Sequence, residues 1–474
     1  MSTNEIPEVK AEENTVYYYK WYIDFYNSND PNAGDRTKRI NINPVYLSSF
    51  TMIKKYKTEN IPQIHAKMKF RVSDIITLGE WQKNCLVDIT CKILVFSKTE
   101  NDAMTQTDSK IIFSTRVIPI FNSSTFKSKY KKEQAESLDQ VTDGLDTGEK
   151  MVNMILLNAT AQNALKKVYN KVIEDGTVGT AIQWMTCSLL PISGGAIIDT
   201  PDNNGNMGDI IIPPLSYIQA MNFIQANYGI YENGMMIFYD IDGILYVLDK
   251  YAYEHDCVEG ATTLTKIFKA ESRDETVGNI VRKVDDNKNP QYIGTMQIKR
   301  TDNEVLDGEL TGNTVVFSSF GQAMDSILYD NESDEVSLAS KVSAALTRNV
   351  PTNKVSGDKI LTEYDELNNI YNMSSYFNEI ECNTQRVNIL LNNVNVKDFA
   401  PNVIIELGFE DVERNNKQSG QYFLNEVVFK FDRLKEADNL GLGASDKEDE
   451  GYKHLPSVTT CSSALSISRA NPEK

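Results

Sequence analysis

Histidine is nearly missing from this chain: there are three in 474 residues, His65, His255 and His454. With no HExxH spacing and no clustered Cys and His, the sequence offers no transition-metal centre. His65 alternates within a strand-like run and His454 sits in a polar tail, so both read as ordinary positions. Cysteine is sparse and scattered. Cys85, Cys91, Cys187, Cys257, Cys382 and Cys461 form no CxxC pair, which reads as reduced core thiols of a protein made in a cytosol. Also missing is any run approaching the ~18 apolar residues of a membrane span, and the opening MSTNEIPEVKAEEN is acidic rather than secretory. Positive charge is in short supply, with 48 Lys and Arg against 66 Asp and Glu, a net −18. That argues against the basic footprint of specific nucleic-acid binding. No GxSxG elbow or P-loop is present and no GxGxxG follows a strand-like run. No repeat at a fixed period marks a solenoid.

What is there is globular: 41% hydrophobic and 24% charged residues, in a chain long enough for two to four domains. Its best-formed stretch is 209–250, DIIIPPLSYIQAMNFIQANYGIYENGMMIFYDIDGILYVLDK. Three isoleucines run into Pro213-Pro214, where two lost donors and two fixed φ angles predict the end of the strand. Ser216 stands as an N-cap before Tyr217, Met221, Ile224 and Tyr228 at helical spacing, and Gly229 follows as a C′ glycine. After Asn233-Gly234 the period changes to MMIFYD, a turn at Asp242-Gly243, and ILYVLD. The prediction is a helix followed by a β-hairpin.

Taken in order, residues 1–13 read as a disordered acidic leader. VYYYKWYIDFYNS (16–28) is an alternating strand with Tyr17, Tyr19, Trp21, Ile23 and Phe25 on one face. Strands follow around Ile40–Tyr56 and over 64–72, 86–97 and 110–121, predicting a β-barrel or sandwich over 14–122. Residues 123–149 are polar and read as a linker or long loop. A helix is expected from about Met151, with Leu157, Ala161, Leu165, Val168 and Val172 on one face, ending at Gly176. A second short helix falls in TVGTAIQWMTCSLL, so 150–255 reads as an α+β domain. Residues 256–434 return to short alternating runs, interrupted by helical patterning over 333–371 with Ser333 as an N-cap and Val336, Ala339, Val342 and Leu346 aligned. Residues 435–474 read as an acidic mobile tail ending in a strand-like run at Val458–Ile467. The fold class is therefore α+β and β-rich.

Candidates for chemistry are few. Asp240 with Asp242, and Glu379 with Glu381, are carboxylate pairs at i, i+2 that a glycosidase could use. Asp242-Gly243 is already accounted for as a turn. The loop 199–209, DTPDNNGNMGD, carries oxygen ligands but lacks the EF-hand register, so a solvated loop explains it better than calcium. Gly194-Gly195 could cradle an anion, though a turn suffices. No catalytic, cofactor-binding or metal residue is assigned from these.

Two stretches carry a family likeness. One is IIIPPLSYIQAMNFIQANYGIYENGMMIFYD (210–240); the other is KDFAPNVIIEL…SGQYFLNEVVFKF (397–431), a Pro–strand–loop–Gly-x-Tyr–strand unit. Both resemble the central baseplate hub proteins of contractile-tailed bacteriophages, themselves similar to the hub part of type VI secretion spike proteins. The resemblance implies two tube-type β-barrel domains with an inserted helix/hairpin domain, the long strands at 40–72, 86–121, 376–391 and 419–432 supplying the barrels. It implies a homotrimeric, pseudo-sixfold ring that joins the tail tube to the central spike and other baseplate proteins. It also implies DNA passing through the lumen and a place in the virion after assembly in the host cytoplasm. Some such hubs carry a fused peptidoglycan-cleaving domain; no residues here match one, so the chain reads as non-enzymatic. A carboxylate-lined tube that repels passing DNA would then explain the negative charge, as would a merely solvated surface. Other readings are a different tail component (tube, wedge or adhesin), a cell-wall glycan hydrolase or a carbohydrate-binding β protein.

Overall fold

A computed structural model describes residues 14–31, 39–41, 47–81, 84–98, 104–121, 149–189, 195–203, 205–252, 263–269, 291–300, 314–316, 327–329, 385–409, 419–434 and 457–469. The leader, most of the linker, the helical patterning at 333–371 and the segment 435–453 lie outside these residues.

The strands are β1 (Asn14–Asn27), β2 (Ile40–Asn41), β3 (Leu47–Lys55), β4 (Gln63–Arg71), β5 (Cys85–Lys98), β6 (Met104–Phe121), β7 (Glu149–Asn158), β8 (Val168–Ile173), β9 (Ala196–Ile198) and β10 (Ile210–Ser216). They continue with β11 (Met235–Tyr239), β12 (Leu245–Asp249), β13 (Thr263–Lys269), β14 (Gln291–Arg300), β15 (Thr314–Val316), β16 (Ile327–Tyr329), β17 (Gln385–Asn392), β18 (Val403–Phe409), β19 (Gly420–Arg433) and β20 (Ser457–Arg469). The helices are α1 (Val72–Trp81), α2 (Ala159–Leu165), α3 (Val178–Leu189) and α4 (Tyr217–Tyr228).

Thirteen strands share one sheet that closes on itself twice. The first ring runs β20-β19-β3-β4-β7-β6-β5-β1 and returns to β20; the second runs β18-β13-β14-β17-β20-β19 and returns to β18. Where the rings close, strands are paired on both sides, which removes backbone edges there. β19 and β20 belong to both rings. Along one side of β19, residues 420–423 pair with β18 and 426–432 pair with β3. Along β20, residues 457–459 pair with β1 and 462–468 with β17. The two barrels are thus fused through one long antiparallel pair, with a register shift between Leu424 and Glu426 where β19 crosses from one to the other. The skipped residue, Asn425, hydrogen-bonds Ser468 Oγ at 2.9 Å, and its carbonyl accepts from Tyr56 N. A bulge that bends a strand suits this corner.

Where β1 leaves β20, a side chain continues the ladder. Asn393 accepts from Tyr17 N and donates to the Thr15 carbonyl, each at 2.7 Å. Its φ of +54° is one that Asn tolerates better than most residues.

Both interiors are solid. The predicted face of β1 is buried as expected, and Trp21 packs with ring centroids 4.3 Å from Phe50 and 4.8 Å from Phe431. Its indole N–H donates to Thr459 Oγ1 on β20. Side chains from both rings form one continuous core. An eight-stranded ring is just wide enough to be filled this way.

Three expectations need correction. The helix expected from Met151 is instead β7, a seven-residue α2 capped by the Asn158 side chain, and β8. Val152, Met154 and Leu156 are buried at period two, and that alternation with β-branched Val168 and Val172 prevailed over the helical stripe. Secondly, β10 does not stop at Pro213; it passes through both prolines as a bulge between Ile212 and Leu215 on the two-stranded β8–β10 sheet, where missing donors cost little. Thirdly, the strands within 14–122 do not close a ring alone, since closure takes β7, β19 and β20. Elsewhere α3, α4 and the β11–β12 hairpin form where predicted, Ser216 making a capping box with Gln219.

Candidate functional site

The hairpin β11–β12 sits between two cores. Met236, Phe238, Tyr246 and Leu248 join the barrel core, while Ile237, Tyr239, Leu245 and Val247 join the core built by α2, α3, α4, β8 and β10. A strand covered on both faces needs a continuous apolar run, which is why MMIFY and LYVLD do not alternate. The outer edge of β11 is covered by residue 60, whose carbonyl accepts from Tyr239 N and whose amide donates to the Ile237 carbonyl.

The candidate carboxylates lie at this seam. Asp240 Oδ2 accepts from Lys54 Nζ at 2.7 Å, with side chains only 6% and 4% exposed, and Asp240 Oδ1 accepts from Ile241 N. Asp242 Oδ1 accepts from Ile244 N in the turn. Burial, with Asp240 alongside, raises the Asp242 carboxyl above its ordinary range. Asp240 is thus engaged across the seam by Lys54 and within the hairpin by Ile241 N. Glu379 and Glu381 lie outside the described residues, as do His255, His454, Cys257, Cys382 and Gly194. His65 points outward on β4. Gly195, at φ +100°, gives its carbonyl to Leu245 N, a turn role. Cys85, Cys91 and Cys461 are buried, and burial pushes the Cys85 thiol up to about 12, so these are inert packing groups.

The loop 199–209 is closed by the protein itself. Asp199 Oδ2 accepts from Asp249 N, Asp202 Oδ2 from Glu232 N, and Asn203 Nδ2 donates to the Tyr228 carbonyl at 2.7 Å. No group of three acidic, His or Cys ligands among the described residues is arranged for a metal. Asp249 is the unusual member. Burial and the nearby Asp202 raise its carboxyl to about 7, against the lowering hydrogen bond from Asn233 Nδ2. The folded state therefore binds this proton more tightly than the unfolded chain does. Stability from this group is greatest near pH 4 and falls as pH rises through 7, by roughly 3–4 kcal/mol. Denaturant unfolding of Asp249→Asn should lose that slope and gain stability at pH 8. An unchanged slope would refute the assignment.

The outer wall of the first ring is the remaining feature. On it β4 presents His65, Lys67, Lys69 and Arg71 at alternate positions. Beside them lie Asn153, Ile155 and Ile120 around a groove of about 470 Å³. Sequence reading missed this wall, although the alternation IHAKMKFR carries it. No described helix is long and apolar enough to cross a membrane.

Comparison with curated proteins gives no match. Among solved structures the chain is similar to the tail protein of Neisseria meningitidis MC58, at 11% identity and TM-score 0.44, covering 95% of this chain and 96% of that one. It is similar to the 43 kDa tail protein of prophage MuSo2 from Shewanella oneidensis, at 7% identity and TM-score 0.42, covering 95% and 97%. The E. coli c3393 protein, a type VI secretion component described as similar to T4 tail proteins gp27 and gp5, matches at 8% identity and TM-score 0.37, covering 90% and 74%. These neighbours are of the kinds the sequence resemblance named; at such scores the fold rests on the strand ladders above and not on them. A family profile, by contrast, matches residues 35–447. The chain belongs to the family of the bacteriophage PBS1 gene 109 protein.

Proposed function

We propose that this chain is a structural protein of a contractile phage tail, the baseplate hub that joins the tail tube to the central spike. Membership of a phage protein family supports the virion setting. The observation that carries the finer reading is the pair of closed rings sharing β19 and β20. Each chain thereby offers two barrels in fixed relation, so three chains offer six, which is what a trimer needs to meet a sixfold tube. The first and second rings are the two tube-type domains, and of the span 150–255 the part after β7, residues 159–252, is the helix/hairpin unit inserted against them.

Because both interiors are filled with side chains, DNA cannot thread a single barrel. A passage must lie between chains, lined by outer barrel walls. The net charge of −18 suits a lumen that DNA crosses without adhering. The reading assigns no catalysis, and assembly takes place in the host cytoplasm with tube, spike and other baseplate proteins as partners.

Light scattering of the purified chain tests this. The expected result is a stable species near three times 53.5 kDa and a torus in negative-stain images. A dimer would overturn it, because twofold symmetry cannot build the adapter.

A further inference from the structure

The turn before β11 carries Asn233-Gly234, and asparagine is among the chemically labile side chains. Gly234 sits at φ +93°, so the position needs glycine, and no Cβ shields its backbone nitrogen. The Gly234 carbonyl accepts from Lys250 N, while its own N–H makes no hydrogen bond to the described residues. Next to it Asn233 is half-buried, and its Nδ2 donates to Asp249 Oδ2 at 2.8 Å. Asp249 is itself held in place, its N donating to Asp199 Oδ2 and its Oδ1 accepting from Tyr251 N. A carboxyl group is therefore fixed on the very nitrogen that must leave when an asparagine side chain cyclises.

We propose that Asn233-Gly234 is a self-modifying site, at which Asn233 deamidates through a succinimide with Asp249 as the general acid. The Gly234 nitrogen gives its proton to water and attacks Asn233 Cγ, closing the imide ring. The Cγ–Nδ2 bond breaks, and Nδ2 leaves as ammonia with a proton taken from Asp249. The proton released by Gly234 restores Asp249 through solvent. Water then opens the ring to aspartate or isoaspartate, with no change of oxidation state. A general acid works best when its pKa lies near the working pH and it stands within hydrogen-bond reach. Burial, with Asp202 nearby, raises the Asp249 carboxyl to about 7, against the pull of Asn233, Tyr251 N and Lys57. The other charged groups at this joint are Asp199, Glu232, whose N donates to Asp202 Oδ2, and Lys250, whose ammonium lies 5.5 Å from the Tyr251 ring. A large share of Asp249 thus holds its proton at pH 7 and little of it does at pH 9. The product sets a new carboxylate against Asp249 and Asp202, so modification ends the hold of the turn on the end of the hairpin.

Peptide mapping by mass spectrometry over weeks in warm buffer tests this. The reference is the same chain unfolded in urea, where the dipeptide acts without Asp249. Asn233 should convert to aspartate and isoaspartate faster in the folded chain than in the unfolded one. Asp249→Asn should slow conversion in the folded chain at least about tenfold, with unchanged circular dichroism. The wild-type chain gives a readout that a folding defect cannot confuse: its rate should level off above pH 7 as Asp249 loses its proton, whereas the rate in urea keeps rising with pH. Conversion slower in the folded chain than in urea, or equal in wild type and Asp249→Asn, would overturn the proposal. A folded-state rate that climbs with pH as steeply as the rate in urea would remove Asp249 from the reaction.

Discussion

A chain ending at Pro456 is expected to lose its cooperative fold. Deleting Ser457–Lys474 removes β20, which pairs eleven residues with β19, seven with β17 and three with β1. Both rings open at once. Val458, Leu465 and Ile467 leave the core, at ~1.5–3 kcal/mol each, and Trp21 loses its indole partner Thr459. The sum is comparable to the whole stability of about 5–15 kcal/mol usual for a folded protein. The exposed edges of β1, β17 and β19 would then invite aggregation. Size-exclusion chromatography and thermal unfolding should show aggregates without a sharp transition. A truncated chain that elutes and melts like the full one would refute the view that this strand closes both barrels.

Lys54→Met should be the most damaging of single exchanges at the seam between barrel and hairpin. It leaves the carboxylate of Asp240 buried with no counter-charge, a loss of about 3–5 kcal/mol. The double change Lys54→Met/Asp240→Asn should return most of it. The amide oxygen can still accept from Ile241 N, and no buried charge is left over. Denaturant midpoints of the two single variants and the double one give the coupling directly. If the double variant is as unstable as the sum of the singles, the ion pair is not what holds the hairpin to the barrel.

Much of the local structure was determined by sequence alone. Period-two runs placed β1, β4, β5 and β6, and cap chemistry placed α4 between Ser216 and Gly229. The Asp-Gly turn gave the hairpin, because a short turn restricts backbone angles that few residues adopt. These signals are legible because each lies within a dozen residues. The misread segments failed for the opposite reason: Met151–Val172 carries both periods, and only the partners β4, β6 and β10 select the strand.

The candidate site was less legible. Alternation along β4 implies an outward basic row, but that Ile120 and Met151 stand beside it depends on register between strands far apart in sequence. Ring closure is also non-local, since Tyr19 meets Thr459 across almost the whole chain. Nothing in the run 457–469 announces that it pairs with three strands, because backbone ladders are blind to side-chain identity. Outside Met151–Val172, sequence determined that the long alternating runs β1, β4, β5 and β6 would be strands, and which face of β1 the barrel would bury. Only the tertiary structure decided that two rings share β19 and β20, because closure is a property of partners brought together by packing.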